Sequence, residues 1–484
     1  MSAEKIMALV QQYCGACHAV PSPSLLPKHS WPHVIDAMVE LARRQTGSEF
    51  IPAEHAHHIK ALYYGSSPTE LPRLPYIDQA HPQVRFEAST IGAPSELPQI
   101  AHIQPVDFGA GEFNFLVSDG ETGKVILLEA HRKGDGGAVQ WQETTLAELT
   151  FPVSTQAVDF NGDGRMDILV ADLGILPPME ALAGKVFVLI QEENGDFTPH
   201  LIIDGLGRVS DVRAVDLNNN GRLDLAVAVF GGGQVGELFW LENLDEGRFK
   251  KHSLLQLSGA LTLLPVDLTN DGKMDLVTLI AQEREEVVAF VNQGDNGFKQ
   301  VTIANAGNPM FGMTSLQVVD LNQDGRPDLI FTNGDAFDTQ SEPKPYHGVQ
   351  WLENLGELQF AYHDIGRFYG AANLAVGDLT GNGHLDVVVS SWANHWDDPK
   401  RQSLIWFEND GKQNFRPRPI SGNINGLVPI ELVDVTGNGR LDIITGALRM
   451  DILNPMLAAG QVPEQPSVYP RLMLFTQSDH VQLD

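Results

Sequence analysis

A nine-residue pattern recurs along this chain with starting aspartates 51 to 58 residues apart, and it constrains the fold more than any other feature. Six copies are complete. They are Asp159, Asn161, Asp163, Gly164, Asp167; Asp216, Asn218, Asn220, Gly221, Asp224; and Asp267, Thr269, Asp271, Gly272, Asp275. The other three are Asp320, Asn322, Asp324, Gly325, Asp328; Asp378, Thr380, Asn382, Gly383, Asp386; and Asp434, Thr436, Asn438, Gly439, Asp442. A degenerate seventh copy starts at Asp107 and lacks oxygens at its third and fifth positions. Self-similarity at such a period marks a repeat array, which suits a chain of 484 residues better than a single core does.

Each loop runs into a short β-branched segment (DILVA from 167, DLAVA from 224, DVVVS from 386, DIITG from 442), so it joins two strands and not two helices. An aromatic-Glu-Asn turn follows the third strand of several units, as in FWLENL, VQWLENL and LIWFEND. Seven units of four strands predict a mainly β chain, a seven-bladed β-propeller over residues 83–484. The last unit stops short of a fourth strand, and the segment at about 84–91 has the look of an orphan one. Pairing the two closes the ring and removes an exposed edge.

Side-chain oxygens at positions 1, 3, 5 and 9, with a backbone carbonyl near 7 and glycine at 6 for the turn, form a donor set suited to Ca²⁺. The expectation is up to six calcium ions. The loops with asparagine at position 5 (Asn220, Asn382, Asn438) carry one charge fewer and are expected to bind more weakly. The alternative for any one loop is an ordinary Asx turn. These repeats resemble the FG-GAP/VCBS propeller family, whose loops have the form DxDxDGxxD. The resemblance covers about 400 residues. It implies the fold and the calcium loops, but not one function, because such propellers serve adhesion, ligand binding and catalysis.

The start of the chain carries a different signal, Cys14-Gly15-Ala16-Cys17-His18. C-x-x-C-H is the attachment pattern of a c-type haem: two thiols reach two vinyl groups, and the adjacent imidazole ligates the iron. These are the only two cysteines, which excludes a disulfide framework and leaves too little sulfur for a structural zinc site. The surroundings resemble small monohaem cytochromes c. The resemblance implies one covalent haem c on Cys14, Cys17 and His18, in a small all-α domain over 1–72, with Met38 as sixth ligand. His33, His55, His57 and His58 are the alternatives for that position, and a core role is the alternative for Met38. Backbone carbonyls around Pro21, Pro23 and Pro27 are candidate acceptors for the proximal imidazole, and Arg43 or Arg44 candidate partners of a haem propionate. The proline-rich stretch 73–82 is expected to be a semi-rigid linker.

The net charge of −30 excludes nucleic acid as a partner, and residues 1–72 hold only five basic and six acidic side chains, so the excess lies in the repeats. Six Ca²⁺ would offset 12 of the 30 charges. No apolar run of about 18 residues exists, so no membrane span is expected. Ser2 to Tyr13 reads as an amphipathic helix and not a leader; because haem c is attached on the export side, a mature periplasmic or extracellular protein is expected.

In a four-strand unit the loops between strands 2 and 3 open opposite the calcium loops. There Asp335, Tyr346, His347, Trp392 and His395 are candidate catalytic or ligand residues expected to converge near the channel mouth. Aromatics beside carboxylates suit a carbohydrate; the alternative is that they tie the loops together. The expected function is therefore haem electron transfer, with a redox partner protein or small substrate docking on the propeller. The alternatives are a sugar-active dehydrogenase or lyase and a surface binding or adhesion module.

Overall fold

The computed structural model describes residues 1–16, 18–108, 113–132, 139–176, 180–245, 247–282, 284–336, 343–449 and 468–478. Cys17 and residues 450–467 lie outside the described residues, as does part of the degenerate copy at Asp107.

Seven four-stranded antiparallel sheets follow one another. Blades 1 to 6 take residues 100–148, 152–206, 209–255, 260–305, 313–367 and 371–419 in simple up-and-down order. Blade 7 takes its three inner strands from 427–478 and its outermost from Arg85–Ile91, which pairs antiparallel with Leu472–Ser478 from Arg85↔Ser478 to Ile91↔Leu472. The first strand of the propeller thus completes its last blade. The second strand of blades 2 to 7 is buried at all six positions, for example Asp167–Asp172 and Asp386–Ser391. Such strands have packed neighbours on both faces, which is why the sequence there is continuously β-branched and not alternating. The apolar core lies between blades: Leu169 and Val186 of one pack with Val212, Leu225 and Phe239 of the next.

Each calcium-type loop is a tight turn built by its own first aspartate. Asp159 accepts from the amides of Gly162 (2.8 Å), Asp163 (3.1 Å) and Gly164 (3.0 Å), and Asp378 and Asp434 repeat the arrangement. The sixth-position glycines sit at φ between 80° and 87°, where a side chain is strained even though nothing lies within 4 Å of the missing Cβ.

Three helices precede the propeller among the described residues: α1 (Ala3–Tyr13), α2 (Trp31–Thr46) and α3 (Ala53–Ser66). Val10, Leu26, Trp31, Ile35, Ile59 and Tyr63 form their core. The Trp31 indole donates to the Pro23 carbonyl (2.9 Å) and the Tyr63 hydroxyl to that of Pro21 (2.8 Å), pinning the loop between α1 and α2. Met310 of the propeller packs against the same core. It lies between blades 4 and 5, on the face opposite the calcium-type loops.

The segment expected to be a linker is hydrogen-bonded to the propeller at several points, mostly in blade 6. Tyr369 Oη accepts from the amide of Leu74 (2.7 Å), and Tyr76 donates to Asp398 (2.8 Å). Arg401 donates to the carbonyls of Leu74 and Pro75, Gln402 to Ile77, and Arg418 to Gln79. The segment's carbonyls are met by side-chain donors, Arg401 and Gln402 from the loop between the second and third strands of blade 6 and Arg418 from its outermost strand.

Candidate functional site

The helical domain supplies most of the wall of an apolar cavity of about 280 Å³. α2 supplies Trp31, Val34, Ile35, Met38, Leu41 and Ala42 to its wall, a stripe at helical spacing. α3 adds Ile59 and Tyr63, and the chain between them Phe50 and Ile51. Tyr13, Cys14, His18 and Pro21 complete the wall on the side of the motif. Met38 is 39 % exposed although apolar, because its helix face meets this cavity and not another element.

The cavity suits the expected cofactor in its chemistry. His18 Nδ1 donates to the Ala19 carbonyl (2.8 Å), so the neutral ring keeps its lone pair on Nε2. The acceptor is Ala19, not the region of the three prolines, whose carbonyls at 21 and 23 serve Tyr63 and Trp31. Burial pushes the Cys14 thiol up, so it is neutral at pH 7. Of the candidate sixth ligands only Met38 lines the cavity. His33 and His57 are exposed, the His55 ring is held by the Tyr13 hydroxyl (2.9 Å), and His58 faces Glu54 (3.9 Å). Arg43 and Arg44 both bind Glu40 on the last turns of α2 and are absent from the wall. Closed and dry, a void of this size would cost about 7 kcal/mol at ~24 cal/mol per Å³; open, it leaves apolar walls against water.

Of the five loop residues, Tyr346, His347 and Trp392 bond backbone groups of neighbouring loops. Tyr346 donates to the Met310 carbonyl (2.9 Å), and Trp392 to that of Gly334 (2.9 Å). His347 is fully buried, its Nδ1 accepts from the Gly370 amide (3.2 Å), and burial beside Lys344 and Arg367 pushes it well below the usual imidazole range. The backbone of Asp335 pairs with Gly312 and Lys344. These side chains tie loops together because turns leave backbone groups that need partners. Of the five, His395 lines a cavity, one of about 250 Å³ at the seam of helical domain, linker and propeller, with His29, Arg73, Tyr369 and Asp397. Burial, then Arg73 and Arg401, push His395 down.

At the metal-type loops the ninth-position aspartates are fully buried. Asp275 accepts from Leu268 (3.0 Å) and Asn292 (2.8 Å), and Asp167, Asp224, Asp328, Asp386 and Asp442 do the same, bracing loop to third strand. The fifth-position carboxylates of Asp163, Asp271 and Asp324 pair with the basic residue at position 7. Among the described residues no three or more His, Cys, Asp or Glu side chains are gathered as a metal cluster. The oxygens at positions 1, 3 and 5 sit on the turn, half-buried at position 1 and exposed at position 5, a hard donor set that fits Ca²⁺ in chemistry.

Residues 216–278 and 267–331 match the model of the FG-GAP-like repeat. The chain carries FG-GAP-like repeats folded as a seven-bladed β-propeller. It is similar to a T-cell immunomodulatory protein homolog of Plasmodium yoelii yoelii (22 % identical over 268 residues, 48 % of this chain and 36 % of that protein). It is also similar to integrin alpha-7 of Homo sapiens (29 % over 153 residues) and of Mus musculus (31 % over 153 residues), across 28 % of this chain and 12 % of each integrin. The matches thus span well under two thirds of these relatives' own length. No helix among the described residues is long and apolar enough to cross a membrane.

Proposed function

We propose that this chain is an exported electron-transfer protein: a one-haem helical domain seated on a propeller that binds a partner or ligand. One observation carries the reading. Cys14 and His18 of the one motif, and Met38 from α2, line the same apolar cavity. Cys14 and Cys17 would hold the porphyrin by thioether bonds, and His18 Nε2 and the Met38 thioether would ligate its iron. Bound there, haem c supplies one-electron chemistry. The chain's own part is to fix the imidazole through Ala19, to exclude water with the α2 and α3 stripes, and to present the domain on the propeller face. A thioether ligand in an apolar pocket favours the reduced state and a high potential.

The test is a redox titration of the full chain produced in a host that matures c-type cytochromes. The reading expects reversible one-electron reduction, and Met38→Ala opening the sixth position to carbon monoxide. A chain that carries haem but neither titrates nor changes CO binding on M38A contradicts it.

A second reading, a ligand-binding module, is favoured by the similarity to integrin alpha-7 and to the T-cell immunomodulatory protein homolog. Both readings place the protein outside the cytoplasm, and both retain calcium at the turn oxygens as a stabiliser of the ring. A chelator is expected to lower the melting temperature, since an ion that binds only the folded state stabilises it by mass action. An unchanged melt counts against calcium.

A further inference from the structure

The wall of the cofactor cavity is not made by the helical domain alone. Leu257, between blades 3 and 4, and Arg284, between the second and third strands of blade 4, line it from the propeller side. Both loops lie on the face opposite the calcium-type turns. Met310, from the next loop on that face, packs into the helical core, so three neighbouring propeller loops meet the helical domain.

Arg284 differs from everything around it. The other lining residues are aliphatic, aromatic, proline or the candidate ligands; no other arginine or lysine, and no aspartate or glutamate, lines the cavity among the described residues. Its side chain is exposed, with no hydrogen bond or ion pair recorded to any described residue. A guanidinium at the rim of an apolar slot is positioned for a planar ligand with an apolar body and a carboxylate edge, since its paired donors match a carboxylate. A porphyrin bearing propionates has that form. The two arginines that the sequence offers for this role, Arg43 and Arg44, are committed to Glu40.

We infer that Arg284 is a positioning residue for the haem, supplied by the propeller, which pairs with the cofactor's carboxylate edge and raises its midpoint potential. This rests on the haem reading above. The sign follows from charge. Oxidation adds one positive charge at the iron, which a nearby cation disfavours. Arg284 also neutralises a carboxylate that would otherwise stabilise the oxidised state. Removing it lowers the potential on both counts. At the solvent-exposed rim the effect is screened by salt.

The experiment is a spectroelectrochemical titration of the full haem-loaded chain and three variants, Arg284→Gln, Arg284→Lys and Arg43→Gln, at low and high ionic strength. The expected result is a lower potential for R284Q, most of it recovered in R284K, a smaller difference at high salt, and no change for R43Q. Loss of helical packing alone would not be repaired by lysine. An R284Q potential equal to that of the parent chain, with the haem and its iron ligands intact by absorption spectrum, overturns the assignment of Arg284 alone. Absence of covalent haem in the parent chain instead overturns the haem reading beneath it.

Discussion

The helical domain and the propeller reach order by different routes. The propeller repeats its instruction: a left-handed glycine, a capping aspartate and a buried bracing aspartate in each of six units, then a borrowed strand that closes the ring. Its blades bury apolar strands against one another and need nothing else at their centre. The helical domain has eight buried apolar side chains among its described residues and an apolar hole beside them. A domain of this size sits near the lower limit of what its own core can hold together, where metals or cofactors commonly supply the remainder. The propeller, on this account, is autonomous, and the helical domain is completed by what fills its cavity.

The sharpest way to break that comparison is to prevent cofactor attachment. In a Cys14→Ala/Cys17→Ala chain, amides of α1 to α3 should lose most of their hydrogen-exchange protection while those of the blades keep theirs. Equal protection in both forms would mean that the helical core suffices alone.

The next effect lies in the propeller. Asp275→Ala leaves two amides, of Leu268 and Asn292, without their acceptor in a buried site. At about 1–3 kcal/mol for each such group, unfolding in denaturant should be easier by roughly 2–6 kcal/mol. The loss should persist in chelator, because the brace is made by backbone amides and not by an ion. A loss that vanishes in chelator would assign the residue to metal alone.

The linker is the joint between the two regions. Arg401 is 6 % exposed; it donates to Leu74 and Pro75 and lies over the rings of Tyr76 and Tyr369. Arg401→Ala should cost about 1–2 kcal/mol locally and speed proteolysis within 66–82 several-fold, with the blades intact. Unchanged cleavage would show that the other anchors hold the segment.

The smallest effect is a pH dependence. Glu431, on the innermost strand of blade 7, is pushed up to about 8 by burial. In the unfolded chain it titrates near ~4.3, so between there and about 8 the folded state holds a proton that the unfolded state has lost. Its contribution is fully present below the lower value and is lost as pH rises through the window. Glu431→Gln should therefore raise the melting temperature at pH 8 more than at pH 5. Equal shifts would mean that the carboxyl ionises freely.

Much of the propeller was legible in the sequence because each unit restates a local requirement: Gly164 and its equivalents for the turn, Asp159 for the cap, and the β-branched runs for strands buried on both faces. Part of the wall of the helical cavity was legible too, since Cys14 and His18 share one motif and Met38 follows on the helix that lines it. Three things were not. The docking of the linker depends on Arg401, Gln402 and Arg418, more than 300 residues away, donating to backbone carbonyls that every residue has. Arg284 sits in the charged run QEREE, where nothing marks one arginine as facing a cavity made by another domain. Tyr346, His347 and Trp392 carry aromatic and imidazole signals that suit a ligand site, but the same groups serve to satisfy loop backbone, and only the fold separates the two uses.

The account turns on whether the cavity beside Cys14 holds a covalent cofactor, and the intact mass of the denatured chain answers it. With the protein produced alongside a cytochrome c maturation system, the account predicts one haem added to the polypeptide mass, retained through denaturation and absent from the Cys14→Ala/Cys17→Ala chain. A bare polypeptide mass under those conditions, with the helices still protected, would contradict it.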